Sequence, residues 1–168
     1  MLVVMSGLPG TGKSAIADAL GYELGAPVLS VDSIETAIWR CGIAPSFETG
    51  VAAYEVAAAL AEHQLSLGLT AITDSVSSIE VARDMWRRAA SRAGAGLRII
   101  EVICSDGRVH RQRLASRRRD IEGFPEPSWG EVQQRRAEWE AWTEDRLVID
   151  TVRTIDENLA DALSFLSR

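Results

Sequence analysis

Apolar residues along this chain follow two alternating patterns. Short runs rich in β-branched residues, typical of buried parallel strands, occupy residues 2–6, 28–31, 69–73, 97–104 and 147–149. Between them, apolar residues recur at spacings of three and four, which predicts a helix after residue 14 and further helices over 33–39, 48–67, 80–93, 108–119, 129–142 and 155–166. Because strands alternate with helices, we predict a three-layer α/β fold, in which a parallel sheet of about five strands carries helices on both faces.

A phosphate-binding motif lies between the first strand and the first helix. Residues Gly7 to Ser14 read G-L-P-G-T-G-K-S and match G-x-x-x-x-G-K-[ST] without a gap. Glycine allows positive φ angles, so backbone N–H groups of such a loop turn toward a phosphate chain, and the helix N-terminus adds partial positive charge. The sequence therefore predicts the P-loop NTPase fold.

The motif also predicts the cofactors, ATP and Mg²⁺, and the residues that hold them. Lys13 is expected to reach the β- and γ-phosphates and to act in catalysis, and the Ser14 hydroxyl is expected to hold Mg²⁺. The predicted nucleotide contacts in this segment are Gly7, Pro9, Gly10, Thr11, Gly12, Lys13, Ser14 and Ala15.

Two aspartates follow predicted strands and are candidates for chemistry. Asp32, at the end of the second strand, is suited to take the proton from an attacking hydroxyl or to bind Mg²⁺ through water. Asp74, at the end of the third strand, is a candidate Mg²⁺ ligand of the Walker B type. In a parallel sheet both would share one edge with Ser6, where open α/β folds bind ligands. The alternatives are that Asp32 or Ser33 caps the next helix and that Asp74 forms a turn.

An arginine cluster precedes a loop rich in glycine and proline. It comprises Arg108, Arg111, Arg113, Arg117, Arg118 and Arg119, together with His110. Guanidinium groups suit phosphate oxygens, so we predict a lid around residues 113–128, with Arg113 and Arg117 facing the nucleotide and Arg117 assisting catalysis. The alternative is a solvated helix face.

Composition narrows the choice of partners. The chain has 24 acidic and 18 basic residues and a net charge of −6, which argues against general binding to nucleic acid or to a membrane surface. No apolar run approaches the roughly 20 residues that span a bilayer. Two cysteines, Cys41 and Cys104, are too few for a disulfide scaffold. We expect a single domain over residues 1–168, without a signal peptide, in the cytoplasm.

These residues together resemble the small P-loop kinases of shikimate-kinase-like topology. Residues 31–35 resemble the corresponding stretch of the chloramphenicol phosphotransferase-like group, whose relatives include zeta toxins and polynucleotide kinases. The resemblance implies that Asp32 is the base toward an acceptor hydroxyl, that residues 7–14 bind the nucleotide, and that arginines near Arg117 contact phosphate. Related 5′-hydroxyl polynucleotide kinases have an arginine three residues after their aspartate, where this chain has Glu35.

The hypothesis with most support is an ATP- and Mg²⁺-dependent phosphotransferase that moves the γ-phosphate to a hydroxyl of a small molecule, either antibiotic-like or a metabolite. A second hypothesis is a polynucleotide 5′-hydroxyl or nucleotide-sugar kinase. A third, from another class, is a nucleotide-dependent switch that binds a protein partner. An aspartate placed as a base beside the phosphate loop favours an enzyme over a switch.

Overall fold

Five parallel strands form one central sheet in the computed structural model, which describes residues 1–116 and 126–168. The strands are β1 (Leu2–Ser6), β2 (Val28–Ser30), β3 (Ala71–Asp74), β4 (Leu97–Ile103) and β5 (Arg146–Asp150). Their order across the sheet is β2-β3-β1-β4-β5, and every neighbouring pair is parallel. The predicted α/β class with a five-stranded parallel sheet is confirmed.

Helices cover both faces of this sheet. They are α1 (Lys13–Leu24), α2 (Val31–Arg40), α3 (Phe47–Ser66), α4 (Glu80–Arg92), α5 (Gly107–Ser116), α6 (Trp129–Ala137) and α7 (Ile155–Leu166). Val3 and Met5 of β1 pack in one cluster with α1 and α7, whereas Leu2 and Val4 pack in another with α3 and α4. Alternate residues of one strand therefore enter opposite cores, which makes the three layers. None of the helices in the described ranges is long and apolar enough to cross a membrane.

The carboxyl ends of β1, β2 and β3 lie at one edge of the sheet. Asp74 is in register with Met5 on one side and with Ser30 on the other. The segment after β3 is tied to the end of β1, because the Ser6 hydroxyl donates to the Val76 carbonyl oxygen at 3.1 Å. The phosphate loop, Asp74 and the start of α2 therefore emerge side by side.

The sequence-based boundary between β2 and α2 is wrong. We predicted a strand to residue 31 with Asp32 or Ser33 as the helix cap, but β2 ends at Ser30, and the Ser30 hydroxyl accepts a hydrogen bond from the Ser33 N–H at 3.3 Å. Asp32 is the second residue of the helix. Its carboxylate is therefore not needed as the cap.

The helix predicted over 129–142 ends early, at Ala137. Beyond it the backbone leaves the helix to meet the segment after β3, since the Glu140 N–H donates to the Ser78 carbonyl oxygen at 3.2 Å. Arg83 donates to the Glu140 carbonyl oxygen, and its guanidinium lies 4.3 Å from the centre of the buried Trp142 ring. These long-range contacts outweigh the local helical pattern.

Candidate functional site

The loop between β1 and α1 has the backbone shape of a phosphate cradle. Gly10 and Gly12 have φ angles of 85° and 92°, which glycine adopts without strain. A Cβ atom on Gly7 would lie 2.4 Å from the Val102 carbonyl oxygen, so any side chain there would displace the loop from β4. Gly12 is also the N-cap of α1, so the positive end of the helix faces the cradle.

Lys13 and Asp74 form a buried ion pair beside this loop. The Lys13 ammonium group contacts the Asp74 carboxylate, and both side chains are less than 10% exposed. The pair joins the first residue of α1 to the last residue of β3, so the lysine is held at the sheet edge. A phosphate chain in the cradle would offer the same ammonium a second set of oxygens.

A cavity of about 110 Å³ lies against the cradle. It is lined by Gly10, Gly12, Lys13, Ser14 and Ala15 of the predicted nucleotide segment, and also by Leu8, Pro9, Asp32 and Val76. The donor set fits Mg²⁺, since Ser14 lines the cavity and the Asp74 carboxylate contacts the Lys13 ammonium group beside it. No group of three or more His, Cys, Asp or Glu side chains within residues 1–116 and 126–168 is arranged to hold a metal by itself. In a phosphate loop a hydroxyl, phosphate oxygens and water complete the ligand set.

A second cavity of about 370 Å³ adjoins the first. The two share Pro9, Asp32 and Val76 in their walls. The remaining walls come from α2, α3, α4, α6 and the segments after β3 and before α6, with Glu35, Tyr54 and Arg135 among the polar residues. Asp32 therefore stands between a space of phosphate size and a space of small-molecule size.

A third cavity, of about 400 Å³, lies on the far side of the loop between the end of β4 and α6. Its walls include Leu8, Trp139, Arg136 and the buried Cys104. Lys13, Ser14 and Asp32 do not line it. Gly7 and Thr11 of the predicted nucleotide segment do line it, so it adjoins the cradle, but the candidate catalytic residues Lys13 and Asp32 are at the other two cavities.

Thr151 connects Arg113 to the phosphate loop. Its guanidinium donates to the Thr151 hydroxyl oxygen at 2.8 Å and to the Thr151 carbonyl oxygen at 2.9 Å. The Thr151 hydroxyl lies 2.6 Å from the Thr11 carbonyl oxygen. The base of α5 is thereby fixed to the loop after β5 and to the cradle. Arg117, predicted as its partner, lies outside the described residues, as does most of the predicted lid.

His110 connects α5 and α6 to the phosphate loop. The ring is fully buried, and Nε2 lies 2.8 Å from the Pro9 carbonyl oxygen, which accepts a hydrogen bond from the Nε2–H group. Nδ1 lies 3.1 Å from Arg136 Nη2 and must be the acceptor there, since a guanidinium only donates. The two contacts together define a neutral ring with its proton on Nε2. Trp129 packs edge-on against the ring at 5.2 Å.

This environment predicts a pH dependence of folding. Burial lowers the pKa of His110, the hydrogen bond to Pro9 opposes that shift, and the charges of Arg136 and Arg113 add to it. In the unfolded chain His110 takes up a proton near pH 6.5, whereas in the folded protein it does so only at a lower pH. The free energy of unfolding should therefore fall as the pH drops below about 6.5. We expect a slope of at most about 1.4 kcal/mol per pH unit from this group, measured by denaturant unfolding between pH 5 and 7. His110→Gln should flatten the slope in that window, whereas an unchanged slope would show that His110 does not titrate there.

Five residues that line or brace the site were given no site role from the sequence: Glu35, Tyr54, His110, Thr151 and Arg135. His110 was grouped with the arginine cluster, whereas its buried ring is neutral and braces the loop. Glu35 follows Asp32 by three residues on one helix, a spacing that places it on the same face. Thr151 directly follows the carboxyl end of β5. The reasoning that predicted Asp74 at the ligand-binding edge of the sheet would therefore have predicted Thr151 there too. Tyr54 and Arg135 reach the cavity through tertiary packing, for which the sequence carries no local signal.

The five-stranded parallel sheet with a glycine cradle after β1 defines a P-loop nucleotide-binding domain. The chain belongs to the AAA domain family, whose model matches residues 2–139. No curated protein matches the sequence.

Solved structures of small kinases share the fold. A sugar kinase from Janibacter sp. HTCC2649 superposes with a TM-score of 0.75 at 20% identity, covering 99% of this chain and 94% of that chain. A gluconokinase from Sinorhizobium meliloti 1021 has a TM-score of 0.69 at 19% identity, with 99% and 91% covered. The Mycobacterium tuberculosis APS kinase CysC, in complex with AMPPNP and APS, has a TM-score of 0.68 at 18% identity, with 99% and 97% covered. At these identities the likeness establishes the fold, and the resemblance to small P-loop kinases is confirmed at that level.

Proposed function

We propose that this protein is an ATP- and Mg²⁺-dependent phosphotransferase that moves the γ-phosphate of ATP to a hydroxyl of a small molecule. The observation that carries the proposal is the place of Asp32, which lines both the phosphate-sized cavity and the 370 Å³ cavity beside it. A base at this junction is within reach of a hydroxyl that approaches the end of a phosphate chain. The second cavity has the size of a small-molecule site.

The nucleotide side of the reaction uses the cradle. Backbone N–H groups of the loop and the N-terminus of α1 would bind the phosphates, and Lys13 would place its charge on the β- and γ-phosphate oxygens. When bound, Mg²⁺ would neutralise charge on the same oxygens, with the Ser14 hydroxyl as a ligand and Asp74 acting through its hydration shell. Groups that are already in position would therefore stabilise the negative charge that develops on the transferring phosphoryl group.

The acceptor side uses Asp32 as the base. The acceptor hydroxyl oxygen forms a bond to the γ-phosphorus while the bond from that phosphorus to the bridging oxygen of the β-phosphate breaks. The hydroxyl proton passes to the Asp32 carboxylate, and ADP keeps the electron pair of the broken bond. Pro9 and Val76 also line both cavities and would exclude water where the two substrates meet.

Arg113 is proposed to support nucleotide binding. Its bonds to Thr151, and through Thr151 to Thr11, set its guanidinium at the margin of the cradle. We expect Arg113→Ala to weaken ATP binding about tenfold, the value of one charge-assisted contact, as measured by titration calorimetry. Arg111→Ala is the matched control, because Arg111 is exposed on the same helix. Equal ATP affinity in both variants and the wild type would make Arg113 a structural residue only.

A screen for acceptors tests the proposed activity. ADP release would be measured with MgATP alone and then with a panel of hydroxyl compounds that includes sugars, polyols, amino alcohols and a 5′-hydroxyl oligonucleotide. We expect at least one small molecule to raise the rate well above the background. Stimulation by the oligonucleotide alone would favour a polynucleotide kinase, and a rate that no acceptor changes would favour a nucleotide-dependent switch.

A further inference from the structure

Glu35 belongs to the second cavity, but the proposed phosphoryl transfer gives it no role. It lies on α2 one turn after Asp32, half-buried, and lines the 370 Å³ cavity. Residues three apart on a helix share a face, so both carboxylates are presented to the same space. An acceptor whose hydroxyl meets Asp32 would therefore have its neighbouring atoms beside Glu35.

The Glu35 carboxylate is held in place by α3. The Thr49 hydroxyl lies 3.0 Å from Glu35 Oε1 and 2.8 Å from the Ser46 carbonyl oxygen, which share its one proton, and Thr49 is only 4% exposed. The Trp39 indole N–H donates to the same hydroxyl oxygen at 3.0 Å, so the hydroxyl is itself oriented. Such bracing is typical of a side chain that recognises a ligand by geometry, since its rotamer is set before binding.

The surroundings of Glu35 disfavour its negative charge. Burial raises the pKa of Glu35, the hydrogen bond from Thr49 opposes this, and the nearby Asp32 charge raises it again. A ligand group that donates a hydrogen bond or carries a positive charge would offset this cost, and a carboxylate or phosphate would add to it. Arg135 also lines the cavity, but Glu131 lies four residues before it on α6, and the charge of Arg135 helps to lower the pKa of Glu131.

We propose that Glu35 selects the acceptor, by taking hydrogen bonds from a second hydroxyl or an ammonium group next to the hydroxyl that is phosphorylated. The acceptor class is then neutral polyols and amino alcohols, and acceptors that carry a carboxylate or a phosphate near the reacting hydroxyl are rejected. This inference rests on the proposed function, because it requires that the acceptor fills the cavity beside Asp32.

The test compares matched acceptors across variants. The panel consists of trios in which the amine and the carboxylate each differ from the neutral member in one group, such as glucose, glucosamine and glucuronate, and kcat/KM is measured for each with the wild type. Glu35→Gln keeps an oxygen for the Thr49 hydroxyl but removes the charge, and Glu35→Arg reverses it. Glu55→Gln is the control, since Glu55 is exposed on α3 and does not line the cavity. Thermal unfolding of each variant confirms that it is folded.

We expect the wild type to favour the neutral or amine member of a trio over the carboxylate by about tenfold or more, the value of one hydrogen bond to a charged group. Glu35→Gln should reduce this ratio, Glu35→Arg should shift it toward the carboxylate, and Glu55→Gln should leave it unchanged. A wild type that prefers carboxylates, or a ratio that Glu35→Gln does not alter, would overturn this inference alone. Turnover that no member of any trio stimulates would instead contradict the proposed function.

Discussion

Replacing Lys13 with methionine should lower the rate of phosphoryl transfer by about 10²–10³-fold, as expected when one positioned charge is removed from a developing transition state. Lys13 lines the phosphate cavity, and its ammonium group is already fixed by Asp74 at the edge of the sheet. Methionine preserves the length of the side chain but cannot place a cation on the γ-phosphate. The measurement is single-turnover transfer from ATP to an acceptor found in the screen.

The same substitution should also reduce stability, because Asp74 is buried and loses its lysine partner. Breaking a buried pair from one side costs up to about 3–5 kcal/mol. Adding Asp74→Asn should recover part of that stability but none of the rate, which separates the two effects. If folded Lys13→Met transfers phosphate as fast as the wild type, the cradle is not the site of transfer.

Asp32→Asn should slow transfer by about 10²–10⁴-fold, the usual contribution of a positioned general base. Asparagine retains the shape of the side chain at the junction of the two cavities but does not accept the hydroxyl proton. The KM for ATP should stay near the wild-type value, because Asp32 meets the acceptor hydroxyl and Lys13 meets the phosphates. Rapid-quench kinetics would report the chemical step directly.

Ser30 supplies the control for this experiment. Since the Ser30 hydroxyl caps α2, Ser30→Ala should cost about 1 kcal/mol of stability and leave the chemical step unchanged. If Asp32→Asn weakens ATP binding, and added Mg²⁺ restores part of the rate, then Asp32 acts on the shell of ligands around the metal and not as a base. A silent Asp32→Asn would remove the main argument for an acceptor-phosphorylating enzyme and favour a switch that acts on a protein partner.

Much of the fold could be predicted because local signals agree with the tertiary structure. The strand over 2–6 and the helix over 155–166 have the predicted bounds, since an apolar run and an amphipathic repeat are each bordered by clear end signals. The helix over 129–142 was overestimated because the backbone around Glu140 bonds to distant partners. Periodicity carries no information about such contacts.

Local sequence patterns likewise predict only part of the candidate site. The cradle from Gly7 to Ser14 is one continuous segment, so its residues could be named from the sequence, and their roles remain predictions. The second cavity is assembled from four helices, the phosphate loop and the segments after β3 and before α6, and Tyr54 and Arg135 meet there only through packing. The alternative that Asp32 caps α2 was wrong, because the hydroxyl of Ser30, two residues earlier, accepts the hydrogen bond from the Ser33 N–H.

Following the γ-phosphate itself shows whether the protein transfers it to an acceptor. ATP radiolabelled at that phosphate would be incubated with Mg²⁺, the protein and an acceptor that stimulates turnover, and the products would be separated by chromatography. We expect the label to move to a phosphate ester of the acceptor, in an amount equal to the ADP formed, and Asp32→Asn to suppress both. Label that appears only as inorganic phosphate, at a rate independent of every acceptor, would contradict the proposed function.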